Sequence, residues 1–178
     1  MNRPVLACAA LLLLALSGCS YFRASPATHR IDESSRILVL PFENFTETPN
    51  AGETIAELFA TEMFVQGFTL VPEENRRQIL PKVTFGPLSK RIEDLSRELA
   101  EEVNAQYVVI GVVGEFHYKY GLNANPAAGM AVQVLDAKTG ETVWRGSGSR
   151  SGLGYDCVTR TAQRVCRKLV RNMRKAIR

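Results

Sequence analysis

The stretch Tyr107-Val108-Val109-Ile110-Gly111-Val112-Val113 constrains the fold more than any other. It is the most hydrophobic run beyond the amino-terminal leader and is rich in β-branched residues, which pack best on a pleated, buried surface. It therefore belongs in the middle of a sheet. Gly111 and Gly114 flank its end, and Glu115 to Tyr120 then alternates polar and aromatic residues, as an edge or barrel-rim extension would.

The other elements follow from period and punctuation. Ile37-Leu38-Val39-Leu40 is a continuous apolar run suited to a strand covered on both faces, and Pro41 helps to end it. A helix is expected from Ala51 to Gln66, with Asn50 as cap, Glu53 in capping-box position and Ile55, Leu58, Phe59 and Met63 as the buried stripe. Gly67 stops it. Phe68 to Val71 reads as a second strand, completing a right-handed β-α-β unit. Pro72 to Leu80 reads as a short helical turn. Leu88, Ile92, Leu95, Leu99 and Val103 then mark one face of a helix that Asn104 closes. Met130 to Asp136 and Glu141 to Gly148 form a hairpin, its turn running from Asp136 to Gly140. A glycine-rich loop, Gly146 to Gly154, leads to a last helix with Val158, Ala162, Val165, Leu169 and Met173 as its apolar stripe. Trp144 packs between sheet and helix or, on the alternative reading, serves in binding. The expected fold is a single α/β domain, residues 35–178, with helices packed on a mixed sheet of about five strands.

Ahead of that domain stands a leader. Arg3 supplies a positive charge and the apolar run Val5 to Leu16 is about a dozen residues, short of the ~20 that span a bilayer. It ends in Leu16-Ser17-Gly18-Cys19, which resembles the lipobox of bacterial lipoproteins, in which the cysteine is acylated and the leader, residues 1–18, removed. Several acyl chains anchor far more firmly than one, at ~0.8 kcal/mol per buried CH₂. Ser20 rather than Asp follows the cysteine, which by analogy with enterobacterial sorting implies the outer membrane. Residues 19–34 carry no hydrophobic period and read as a lipidated tether. Tyr21 and Phe22 either rest in the lipid interface or are incidental linker aromatics.

Loss of the leader leaves 160 residues, one ordinary domain. Cys157 and Cys166 remain as thiols in an oxidising compartment. Nine residues apart on one helix, they stand about 13 Å from each other, beyond the ~7 Å reach of a disulfide. Both are reduced, or one bridges to another subunit. Charge is unevenly distributed: from Cys157 onward there are eight basic and no acidic residues, while the preceding mature body is −5. A basic amphipathic helix suggests nucleic acid in a cytoplasmic protein, but an exported chain points instead to anionic lipid headgroups or an acidic neighbour. The plain alternative is a solvated face offsetting an acidic body. The candidate headgroup contacts are Arg160, Arg164, Arg167, Lys168 and Arg171.

No catalytic set is legible. His29 and His117 are isolated, so neither a metal cluster nor a histidine relay assembles. The glycines at 146–152 match neither a phosphate loop nor a dinucleotide fingerprint. No enzymatic activity, metal or cofactor is expected beyond the covalent acyl chains on Cys19.

A set of short matches runs through nearly all the mature chain: Val39-Leu40-Pro41, Thr48-Pro49, Ala51-Gly52-Glu53, Tyr118-Lys119, Gly121, Pro126, Gly129, Leu135-Asp136, Gly140, Trp144, Gly148 and Ser151-Gly152. In order and spacing the chain resembles the PelC family, outer-membrane lipoproteins of Pel exopolysaccharide export. The segment Asn104 to Val109 is also similar to the broader group of CsgG and TolB amino-terminal domains. The PelC resemblance implies a non-enzymatic ring, dodecameric in the family, beneath the outer-membrane porin PelB, whose electronegative interior guides a cationic polysaccharide. The loop Gly121 to Pro126 offers Asn123 and Asn125 rather than carboxylates, so pore-facing charge falls to Glu115, Asp136 or Glu141. The resemblance also makes Leu153 and Tyr155 membrane-interface residues; the alternative buries them against the start of the last helix. A CsgG-like secretion channel and a monomeric TolB-type scaffold are the competing functions.

Overall fold

A computed structural model of the chain describes residues 20–32, 34–79, 81, 97–119 and 124–177. Its strands are β1 (Ser20–Ala24), β2 (Ile37–Val39), β3 (Glu43–Asn44), β4 (Tyr107–Tyr118), β5 (Pro126–Asp136) and β6 (Thr142–Ser151). Its helices are α1 (Ala51–Val65), α2 (Glu73–Ile79) and α3 (Val158–Ile177), and residues 97–102 are also helical.

Six strands form one mixed sheet in the order β1-β6-β5-β4-β2, with β3 continuing beside β4 beyond the end of β2. β2 and β3 run parallel to β4; the other neighbours are antiparallel. The apolar run at 107–113 does lie within the sheet, as its β-branched composition demands. Alternation along it feeds two cores. Val109 and Val113 join the core under α1 and α3, while Val108 joins Leu38, Leu40, Ile79 and Leu99 on the opposite face. A register shift between Val113 and Glu115 turns Phe116, rather than Glu115, into the first core.

α3 carries its expected stripe: Ala162, Val165, Leu169 and Met173 are fully buried, and Trp144 lies beneath them with no exposed surface. The β5–β6 turn also forms as its residues dictate. Asp136 accepts hydrogen bonds from the Lys138 and Thr139 N–H groups at 2.8 and 2.9 Å, and Gly140 adopts φ 75°, a left-handed conformation that favours glycine.

Several expectations need correction. Residues 20–32 are docked on the domain rather than forming a tether. β1 pairs along its whole length with β6, and the Ile31 N–H donates to Ile177 O at 3.0 Å with the Ile31 side chain buried. The glycine-rich segment is strand as far as Ser151, because its glycines make room for rings: a Cβ on Gly146 would meet Trp144 and one on Gly148 would meet Phe22. Phe68 to Val71 contributes only a single parallel bridge, Ile37 with Leu70. Asn50 caps nothing through its side chain and sits instead at φ 56°. Leu88, Ile92 and Leu95 lie outside the described residues, as do residues 1–19.

Candidate functional site

The end of the sheet where β6 finishes gathers much of what the sequence singled out. Ser20, the first described residue, pairs with Arg150 there. Cys19 lies outside the described residues and directly precedes Ser20 in the sequence. Gly152 follows immediately: its N–H donates to Pro126 O at 2.8 Å, and a Cβ would stand 2.8 Å from Thr161 Oγ1. Only glycine lets the chain turn so tightly against the helix start.

Asp156 then closes the loop. Its N–H donates to Leu153 O at 2.8 Å, while its buried carboxylate accepts from Arg164 at 2.8 Å and lies 3.7 Å from Arg160. Burial pushes this carboxyl up, but the Arg164 hydrogen bond, a backbone hydrogen bond from Leu153 and both guanidinium charges outweigh it and hold the group below its ordinary value. So clamped, the loop leaves Leu153 37% and Tyr155 79% exposed. Their burial against the helix start is not what the structure shows. Tyr118 completes this rim, its hydroxyl accepting from the Val158 N–H at 3.3 Å. Its signal in the sequence was the polar–aromatic alternation after Gly114.

The basic candidates do not share one patch. α3 starts at the rim and ends at the opposite end of the sheet, so Lys168 and Arg171 stand about 15 and 20 Å along its axis from Val158. Arg160 and Arg164 are engaged by Asp156, and Arg167 by the buried Glu62 carboxylate at 3.2 Å. Lys168 and Arg171 are exposed.

The pore-facing candidates are divided too. Asn123 lies outside the described residues, and Asn125 accepts the Lys119 N–H through its carbonyl at 2.8 Å. Glu115 sits half-buried on β4 opposite Gly129, whereas Asp136 opposes Tyr107 at the other end of the strand, about 27 Å away. Asp136 spends its carboxylate on the turn, and Glu141 is exposed beside it. These residues therefore form no common acidic surface.

Composition alone did not show where the glutamates of the body gather. Residues 37–75 contain no Lys or Arg but hold Glu43, Glu47, Glu53, Glu57, Glu62, Glu73 and Glu74. They build the β2 side of the sheet. A groove of about 220 Å³ opens there between α1, α2 and β2, walled by Ile37, Val39, Ala60, Phe64 and Val71 and rimmed by Glu57 and Glu73. Arg76 spans the two carboxylates at 2.6 and 3.3 Å. Among the described residues no group of three His, Cys, Asp or Glu is placed to hold a metal ion, and no helix is long and apolar enough to cross a membrane.

Comparison with solved structures puts this architecture in context. The PelC dodecamer from Paraburkholderia phytofirmans superposes with a TM-score of 0.67 at 22% identity, covering 85% of this chain and 95% of that one. The fold is PelC-like. A point variant of the same dodecamer gives the same TM-score. Lipoprotein GNA1162 from Neisseria meningitidis is also similar, with a TM-score of 0.59 at 15% identity over 79% of this chain and 99% of that one. No protein-family model and no curated protein matches the sequence.

Proposed function

We propose that the chain is a lipid-anchored, non-enzymatic subunit of a ring on the periplasmic face of the outer membrane. There it assists export of a cationic exopolysaccharide through an outer-membrane porin of the PelB kind. The observation that carries this reading is the fold likeness to PelC, a protein solved as a dodecamer, over 85% of this chain and 95% of that one. The rim supports it: Ser20, one bond from the acylation candidate Cys19, stands beside the loop presenting Leu153 and Tyr155. An anchor there holds that end of the domain against lipid. A ring of such subunits then has one rim on the membrane and its axis along the export path. The acidic body, −5 against +8 from Cys157 onward, suits a polycationic cargo, because identical faces repeated around an axis add their fields.

A CsgG-like channel requires a spare amphipathic hairpin to cross the membrane, and every described strand is already spent on the sheet. A TolB-type scaffold requires a monomer. The deciding experiment replaces Cys19 by Ala in a polymer-secreting strain. The expected result is a folded protein lost from the membrane fraction, with polymer secretion impaired; full secretion by the soluble variant overturns the anchored-ring reading.

A further inference from the structure

Large hydrophobic side chains left in water are unevenly placed. Among the described residues, Phe64 and Val65 stand together at the carboxyl end of α1, about 20 Å along its axis from Ala51. Tyr21, Phe45, Tyr118, Leu153 and Tyr155 all belong to the other end of the molecule, where β4 and β6 finish and β1 starts. Strand register fixes how they are arranged there. Ser20 pairs with Arg150, Arg150 with Ala128 and Ala128 with Phe116, and the Thr48 hydroxyl donates to Phe116 O at 2.6 Å. One row across the sheet therefore joins the residue after Cys19 to the loop between β3 and α1, with Phe116 three strand spacings, about 15 Å, from Ser20.

The pleat divides these side chains between two faces. The Tyr118 hydroxyl meets the start of α3, and Leu153 and Tyr155 lead into that helix, so these three lie on the helix side. Phe22 packs toward Val165 of α3, which turns its neighbour Tyr21 to the other face, in the row of Ser149, Gly129 and Glu115. Asn44 likewise faces Gly52 of α1. Phe45 follows it on the other face, 64% exposed, its N–H continuing the ladder by donating to Val113 O at 3.0 Å. Tyr21 and Phe45 thus stand about one row back from the tip, at opposite edges of the sheet and on the face away from α1 and α3.

We infer that the lipid contact of this end wraps both faces of the sheet: Tyr21 and Phe45 meet the interface of the anchoring bilayer on one face, Leu153 and Tyr155 on the other. The strands then stand steeply on the membrane. Aromatic side chains favour that depth, where one end of the ring is in apolar surroundings and the other is wet. Exposed Glu47, Glu53 and Lys119 give this end both signs of charge, so the contact is apolar rather than electrostatic. A domain resting on the 152–156 loop alone, or lying along α3, leaves Phe45 in water. The inference rests on the anchored-rim reading above and fixes the tilt of the domain within it.

The test uses the full chain, transferred from detergent into vesicles of phosphatidylethanolamine and phosphatidylglycerol, with one tryptophan introduced at a time at exposed positions. The quencher is lipid brominated near the headgroup end of its acyl chains. Trp144, which has no exposed surface, adds the same unquenched background to every variant. Phe45→Trp is expected to lose emission to the bromolipid as Tyr155→Trp does, and Phe64→Trp to lose none. Quenching of Tyr155→Trp without Phe45→Trp overturns the second contact and leaves the anchored rim standing; quenching of neither removes both. Quenching of Phe64→Trp as well overturns the steep orientation. Blue-shifted Phe45→Trp emission that bromolipid does not quench assigns Phe45 to a contact with another chain and also overturns the proposal. Should Phe45→Trp fail to fold by circular dichroism, Tyr21→Trp reports the same face under the same outcomes.

Discussion

Phe22 and Gly148 face each other across the β1–β6 ladder, and a Cβ on Gly148 would stand 2.5 Å from Phe22 Cδ1 and 3.3 Å from Val165 Cγ1. The ring thus fastens β1 to the sheet by filling the space a side chain would otherwise take. Gly148→Val forces that ring out and is expected to cost about 1–3 kcal/mol. Phe22→Ala leaves the backbone pairing without its apolar contact and should cost about 2 kcal/mol. Both should accelerate amide exchange at Ser20–Ala24 first. Urea denaturation and exchange mass spectrometry check this: unchanged protection of β1 in Phe22→Ala shows that the strand does not depend on the ring.

That contact also explains where sequence reasoning stopped. β4, the Asp136–Gly140 turn and the apolar stripe of α3 were legible, because each is specified by neighbours in the chain. β1 was not, since only Phe22 of Ser20–Ala24 is even half-buried and its partner strand lies more than a hundred residues away. Its signal was non-local, an aromatic in one segment matched to glycines in another. The acidic candidates failed for a related reason. Composition gave the sign of the body's charge, but only strand order shows that residues 37–75 gather on one edge. At the rim, Leu153 and Tyr155 were legible from the resemblance, whereas the Asp156 clamp that sets their exposure was not.

Two thiols in one helical region should behave differently. Cys157 is exposed just before α3, while Cys166 is buried with its sulfur 3.6 Å from Met130 Sδ, and burial together with the nearby Glu62 charge pushes its thiol well above the ordinary range. Thiolate is the reactive form, so burial protects Cys166 twice. Maleimide should label Cys157 alone in native protein and both thiols in guanidinium, read by intact mass. Rapid native labelling of Cys166 is inconsistent with the core described.

The Asp156 clamp carries a pH signature. A carboxyl held below its ordinary value adds stability that is present above the ordinary carboxylate range and is lost as pH falls through its lowered folded-state value. Asp156→Asn keeps the shape but gives up the pairs with Arg164 and Arg160. Its melting temperature should therefore lie below wild type at neutral pH, and the gap should close on acidification. A gap of constant size from neutral to acid pH removes the ion pairs as its cause.

The rim makes the sharpest demand on the proposed orientation. If Ser20 and the 152–156 loop share the membrane-proximal end, Leu153 and Tyr155 meet lipid without help from the acyl chains. Withdrawing such side chains from water is worth roughly 1–2 kcal/mol each when burial is partial, about tenfold in partitioning. The non-acylated domain from Ser20 onward should thus float weakly with vesicles of phosphatidylethanolamine and phosphatidylglycerol. Adding Leu153→Ala and Tyr155→Ala should reduce the bound fraction about tenfold or more. Salt separates this from headgroup attraction by the α3 cations: the apolar part persists at high ionic strength, whereas Arg and Lys contacts are screened. Binding that survives the double substitution but vanishes in salt assigns the contact to the basic helix. The domain would then lie with α3 along the membrane, not with its rim toward it.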